Sequence, residues 1–509
     1  MTIKTRSFKF AAAALAISSF GVGAQAQTTF TKAPNNTSLN FASSYTANTT
    51  VPTELDTVRI DNTLTGSTTA AVGGNLSIFA LTSNATFQFQ VSATPNATLT
   101  IGAGGITKST GAAALLLTSA IALSANQTWT LTAGGGSGNL QLNTTSFNAN
   151  GNTLAVTGNS TLDIRVGGSL TLGSTVTIDT SVSINGNSTT TDVTFGGSNT
   201  NNTLNVVAGK LRGNTIGNFG VASAFGDGGT NTAIVLGGGA AGQNGLMIYT
   251  GNTATSNRTV SRDGRSVASG IEVTTAGETL TITGNLGSGT QPNVSGSGWV
   301  FSGAGNLTLT GVISNTGNGT SAGTTITKIG AGTLTLGGGS NSTYNGTTTV
   351  TEGTLIANTN KSLGNTSGVI VNGGTFDVRG ATAGTVTLGT AANFSMSSGE
   401  IKLTLGTAFD QIVSSGAGAF TLTGGSLTLD VTGAGFDYGN TYVAFSGFGG
   451  SNTVSGLSIT GYDTAGFTAA LGTDGVISFT VVPEPSIVAL FAIGMGVALF
   501  LRRRVRTNG

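Results

Sequence analysis

The chain has 509 residues, of which 82 are Gly and 6 are Pro; it has no Cys or His, and only 8% of it is charged. The missing Cys and His exclude a disulfide framework, thiolate or His-ligated zinc, and Ser–His or Cys–His nucleophilic pairs. The net charge of +1 is carried by the two ends. Without Lys4, Arg6, Lys9, Glu484 and the cations from Arg502 onward, the middle is about −5, so it lacks the basic stripe that nucleic-acid binding requires.

Low charge here does not mean disorder, because disordered chains are charged and poor in β-branched residues, whereas this one is rich in Thr, Val and Ile. Those residues suit a pleated surface, and the abundant Gly, Asn and Ser supply turns. The composition predicts many short strands whose burial is spread along stacked layers rather than gathered into one globule.

Residues 1–26 read as a signal peptide. Lys4, Arg6 and Lys9 form a positive start, Ala11 to Ala24 an apolar segment, and Ala24-Gln25-Ala26 a small-x-small cleavage site, so the mature chain is expected to begin at Gln27. The plainer alternative is a buried N-terminal helix.

Residues 27–399 read as a β-solenoid. Leu162, Ile164 and Val166 alternate with Asp163 and Arg165; Leu170 and Leu172, Val176 and Ile178, and Val182 and Ile184 continue the period of two. Each run is a half-buried strand, and Gly, Ser or Asn breaks each one from the next. Gly303–Leu309 and Gly330–Leu336 match at an offset of about 27, and Gly416–Leu422 is a third copy. A second unit recurs at Gly353–Ile356, Gly374–Asp377 and Gly425–Thr428. Repeats of this size indicate a solenoid, propeller or array, and a right-handed parallel β-helix fits best, since a single coil cannot bury its own apolar face. Residues 27–160 alternate without visible repeats.

Lys328 to Leu355 reads Lys-x-Gly-x-Gly-Thr-Leu-Thr-Leu, then Asn341-Ser342-Thr343-Tyr344-Asn345-Gly346, then Glu352-Gly353-Thr354-Leu355. This resembles the autotransporter-associated β-strand repeat, a resemblance that implies coils of a β-helical passenger. The C-terminus departs from an autotransporter, because it leaves no room for an outer-membrane barrel of about 12 strands. Residues 400–482, with Phe436, Tyr438, Tyr442 and Phe445, are expected to cap the solenoid against open-edge association.

The tail, 483–509, has three parts: Pro483-Glu484-Pro485, the charge-free run Ile487 to Leu501, and the stop Arg502-Arg503-Arg504. The prolines break the preceding strand. As a helix the run would be about 22 Å long, short of the ~30 Å hydrocarbon core, and the arginines would stay cytoplasmic. This order resembles the PEP-CTERM sorting tail. The resemblance implies export in a Gram-negative-type bacterium, a transient inner-membrane anchor, processing near Pro-Glu-Pro by an exosortase-type membrane enzyme, and association with exopolysaccharide or biofilm matrix. A plain membrane anchor is the alternative.

No catalytic, cofactor or metal site is expected. A β-helical enzyme acting on polysaccharide would need clustered carboxylates. Asp163, Asp179 and Asp192 form a quasi-regular series that stacking could align, against the plainer reading of solvated or turn positions. Gly226-Asp227-Gly228-Gly229 is similar to a calcium-binding nonapeptide repeat but occurs once, whereas such sites form between consecutive repeats; Arg262-Asp263-Gly264-Arg265 is a ligand contact or, by its Asp-Gly, a turn, and the turn is preferred. Asn48, Asn75, Asn84 and Asn96 lie in Asn-x-Ser/Thr triplets, which this composition produces by chance. Trp129, Trp299 and the late tyrosines either stack on sugars or pack inside. The expected role is therefore a non-catalytic surface or matrix protein, with a secreted polysaccharide-acting enzyme and a self-associating fibril as rivals.

Overall fold

The computed structural model describes residues 27–483, apart from 48, 67, 133–137, 145, 187–189, 202, 230–231, 241, 264, 289–296, 316–322, 338–341, 358–362 and 380–383, together with residues 495, 497 and 498. The fold is all-β, a β-solenoid of about 14 turns. At roughly 4.8 Å per stacked strand its length is on the order of 65 Å.

The reason lies in the alternation. Each short strand turns one set of side chains inward, and the next coil lays an equivalent strand beside it in parallel. One ladder aligns Val58, Leu81, Ile106, Trp129, Val156 and Ile178. A second aligns Phe89, Leu115, Leu140, Leu162, Val182, Leu204, Ile234, Val260 and Leu286. A third carries Leu170, Val193, Leu211, Met247, Ile271 and Phe301. All of these side chains are buried and belong to one continuous hydrophobic cluster. In the C-terminal half a further ladder aligns Leu280, Leu307, Leu334, Leu355, Phe376, Ile401, Leu427 and Ile459.

The repeat at an offset of about 27 is the physical register: Leu307 pairs with Leu334 and Leu309 with Leu336. The second unit stacks the same way, with Thr354 beside Thr375, then Glu400, then Ser426. The third copy of the first unit lies elsewhere. Its Phe420 pairs with Phe394 in the third ladder. A half-buried strand has the same alternation on every face, so likeness of sequence does not specify the face.

Asn does more than turn the chain. The Asn306 side-chain oxygen accepts from Thr333 N at 3.1 Å in the next coil, Asn126 from Thr153 N at 2.8 Å, and Asn285 from Val312 N at 2.9 Å. Corner N–H groups that no strand can pair are thereby satisfied. Gly332 is required by close approach, since a methyl there would collide with the Gly305 carbonyl oxygen of the coil below.

Inward positions at some strand ends carry cations. Lys32, Lys108, Arg262 and Lys328 are all buried. Lys328 stands in an apolar column between Phe301 and Val350. Its ammonium donates to the carbonyls of Ile329 at 2.9 Å, Gly330 at 2.5 Å and Glu352 at 3.3 Å. Lys32 likewise donates to Ala33 O, Asn35 O and Asn35 Oδ1 at 2.7–2.9 Å. These cations cap corner carbonyls that would otherwise be buried without donors.

Aromatic contacts lie near both ends of the described stack. At the N-terminal end Phe30 and Tyr45 meet edge to face at 5.4 Å, and the Tyr45 hydroxyl donates to Leu39 O at 2.6 Å. At the other end the ladders run through strand Asn393–Thr404 as far as Ser458–Thr460. An antiparallel sheet of Tyr442–Val443, Val476–Val481 and Phe467–Leu471 follows. Phe436, Tyr438, Tyr442, Phe467 and Phe479 pack over it, with Tyr438 stacked on Phe467 at 3.9 Å.

Candidate functional site

Stacking does not bring the acidic series together. Asp163 lies in the second ladder between Gln141 and Ser183, Asp179 in the first beside Thr157, and Asp192 in the third between Ser169 and Lys210. Stacking therefore distributes the three over different faces. Burial pushes the Asp163 carboxyl up, against the opposing pull of Arg165 at 2.8 Å, but its ladder neighbours are uncharged. Asp192 is held by Arg212 through both carboxylate oxygens at 2.7–2.9 Å.

The densest charged patch is one that the linear sequence did not mark. Asp377, Arg379, Glu400, Lys402 and Asp430 come from three successive coils. Asp377 takes two bonds from Arg379, at 3.0 and 2.8 Å. Glu400 accepts from Thr428 at 2.6 Å and Thr375 at 3.2 Å and pairs with Lys402 at 3.2 Å. Burial alone would raise the Glu400 carboxyl, but the Thr428 and Lys402 bonds and the Lys402 charge outweigh it and hold it below the usual range. Hydrogen bonds from Thr432 hold Asp430 low as well. The carboxyls of Glu400 and Asp430 are thus held low, whereas burial pushes that of the neighbouring Asp410 up, against the backbone bonds from Gly384 and Thr404.

The tryptophans pack inside: Trp129 is 1% and Trp299 0% exposed. Trp129 Nε1 donates to Gln127 Oε1 at 2.8 Å, and Trp299 stacks on Phe301. The late tyrosines Tyr438 and Tyr442 belong to the aromatic cluster over the terminal antiparallel sheet. Asp263 Oδ1 accepts from Arg265 N at 3.0 Å and Asp227 Oδ1 from Gly229 N at 3.0 Å, so both Asp residues build turns.

The outward columns are mostly hydroxyl and amide. On the first ladder Thr82, Thr107, Thr130 and Thr157 stand one above another. On the C-terminal ladder Thr279, Asn306, Thr333, Thr354 and Thr375 do the same, beside Thr281, Thr308 and Thr335. Among the described residues, depressions open on the outward face of the first ladder and on that of the third. One, of about 640 Å³, is walled by Thr107, Thr128, Thr130 and Thr177 over a floor of Gly104 and Ala155. The other, of about 520 Å³, is walled by Thr347, Asn393, Ser395 and Thr421 over Gly368 and Ala419. No sequence signal marked either one. Their residues lie a coil apart, and only register joins them.

Ala24 and Ala26, Glu484 and Pro485, and Arg502, Arg503 and Arg504 lie outside the described residues; Gln27 and Pro483 bound the main described span, and both are exposed. Among the described residues no helix is long and apolar enough to cross a membrane, and no group of three or more acidic side chains is placed to hold a metal ion. The chain matches no family model, no curated protein and no solved structure.

Proposed function

We propose that this chain is an exported, non-catalytic structural or adhesin-like protein of a bacterial surface or extracellular matrix, associated with exopolysaccharide or biofilm. The observation that carries this reading is the set of uncharged Thr, Ser and Asn columns running along a stacked solenoid. A long face of this kind presents many weak hydrogen-bonding groups in fixed array, which gain affinity by multivalency rather than at one deep pocket. The ion-paired state of Asp377 and Glu400 favours this reading over the polysaccharide-acting enzyme.

The finer assignments follow from sequence and general rules. Parallel crossovers favour right-handed coils. Removal of 1–26 after Ala26 would release the mature chain outside the inner membrane. The Pro483-Glu484-Pro485 tail would anchor it there until an exosortase-type enzyme acts, with Arg502, Arg503 and Arg504 on the cytoplasmic side.

The test is mass spectrometry of the C-terminal peptide in membrane, surface and medium fractions, beside a Pro483→Ala, Pro485→Ala variant. External protein that lacks Ile487 to Gly509, with the variant retained intact, supports the reading. A mature external protein that keeps its tail and ignores both changes makes 483–509 an ordinary anchor and removes the sorting step.

A further inference from the structure

We infer that the two depressions are binding sites for an extended, neutral polysaccharide chain, and that the rod is therefore a bivalent cross-linker of such chains. The inference rests on the surface-protein reading and adds its ligand class and the sites themselves.

The first depression follows the solenoid axis. Thr107 and Thr130 are register partners, as are Thr128, Ala155 and Thr177, so one column of hydroxyls flanks a column interrupted by small residues across successive coils. Small residues make the dent, since Ala103, Gly104 and Ala155 line it beside the Thr side chains and little stands outward at those positions. The second depression has the same construction on another ladder. Thr347, Gly368 and Asn393 form one column, and Thr349, Ile370, Ser395 and Thr421 the column beside it.

Volume and chemistry together select the ligand. Both depressions fall in the roughly 300–1,000 Å³ range of ligand sites, and their linings mix hydroxyls and amides with apolar groups, Leu154 and Ala155 in the first and Val369, Ile370 and Phe394 in the second, a blend that suits the hydroxyl edges and C–H faces of a sugar. No ionised side chain lines either one. An acidic or basic ligand would lose its solvation without a partner, whereas a neutral polyol exchanges its water bonds for equivalent ones. Each coil offers a fresh set of hydroxyls about every 4.8 Å, a spacing comparable to one sugar unit, so a linear chain can repeat its contacts down the groove. Phe394 lines the second groove but is 0% exposed, and no other aromatic residue lines either groove, so neither offers a stacking platform and each site alone is weak. Two sites on one stiff body raise the overall affinity by avidity.

The experiment is affinity electrophoresis of the purified mature protein in gels containing dextran, hydroxyethyl cellulose or galactomannan, with alginate as the acidic comparator. Ala155→Arg fills the first groove, Ser395→Arg the second, and Thr468→Arg, on the exposed side of the terminal antiparallel sheet, is a control outside both grooves and the Thr columns. Ala155→Gln adds bulk without charge, and circular dichroism melts confirm that each variant folds. The expected result is retardation by a neutral polymer that either groove variant weakens by at least about tenfold through lost avidity, that the double variant abolishes, and that Thr468→Arg leaves intact. Unchanged retardation of the folded groove variants, or retardation by alginate alone, overturns the inference. If no polymer retards the wild type while the external protein has lost its tail, the grooves fail and the surface reading stands. If retardation depends on the grooves but the protein remains inside the cell, the grooves stand and the surface reading fails.

Discussion

The coils of residues 279–357 and those of 199–262 solve the same packing problem in different ways. In the first stretch four strands, Thr279–Ile282, Asn306–Leu309, Thr333–Leu336 and Thr354–Ala357, put aliphatic pairs inward in unbroken register, and on this ladder the half-buried Asn306 side chain bonds the next coil. In the second stretch the coils lengthen. Gly209 pairs with Gly245 and Leu204 with Ile234, and the intervening chain is held by buried polar groups. Asn199 is 1% exposed; its amide accepts from Ile178 N at 3.0 Å and donates to Ala224 O at 3.1 Å. Arg258 is buried, reaches Gly226 O at 3.0 Å and lies over the Phe219 ring. A regular solenoid derives its stability from apolar stacking, whereas an irregular coil depends on polar groups that have no solvent to replace them.

Three measurements sharpen or break that contrast. Leu334→Ala in the regular stretch should have the largest effect. It leaves a cavity between Leu307 and Leu355 and should cost about 2–5 kcal/mol, read as a lowered urea midpoint. Next comes the same change made at two asparagines. Asn199→Ala removes the partner of two buried backbone groups and should cost about 1–3 kcal/mol, whereas Asn306→Ala, whose Thr333 N can turn to water, should cost about 0.5–1.5 kcal/mol. Equal losses at the two positions would erase the distinction between the stretches.

The smallest effect is on pH dependence. Burial lowers the Lys32 and Lys328 ammoniums from 10.5 to about 8, with Glu352 opposing the shift at Lys328. Between about pH 8 and 10.5 the unfolded chain then holds more protons than the folded one, so stability should rise with pH in that window. Burial raises the Tyr45 and Tyr344 hydroxyls, with the Thr348 bond opposing at Tyr344, so their contribution is lost as pH climbs above 10. Urea midpoints should therefore peak near pH 10, and Lys328→Met should flatten the rising limb. A midpoint that falls steadily from pH 8 would show that these amines are not desolvated.

The tripeptides Ile106-Thr107-Lys108 and Ile326-Thr327-Lys328 show how far the sequence could be read. Period-two phase puts Ile and Lys on one side and Thr on the other, so the inward lysine was legible in principle. The general rule that charge lies outside hides it, and what resolves the conflict is a set of carbonyls turned inward at the corner, which no residue type announces. The Thr-Leu-Thr-Leu register was legible because identical coils stack at their own repeat length. The spread of Asp163, Asp179 and Asp192 over three faces was not, because loop lengths between them set the face.

The sequence alone determined that this chain forms short half-buried strands, that they stack, and which residues face inward, since the alternation of apolar and polar side chains is a local property of the strand. The tertiary structure decided which outward residues become neighbours. Thr128, Ala155 and Thr177 meet only because the coils between them have the lengths they do. The grooves, the ion-paired patch around Glu400 and the buried amide of Asn199 all belong to that second class, because contacts between coils depend on register, and register is the sum of every turn that comes before.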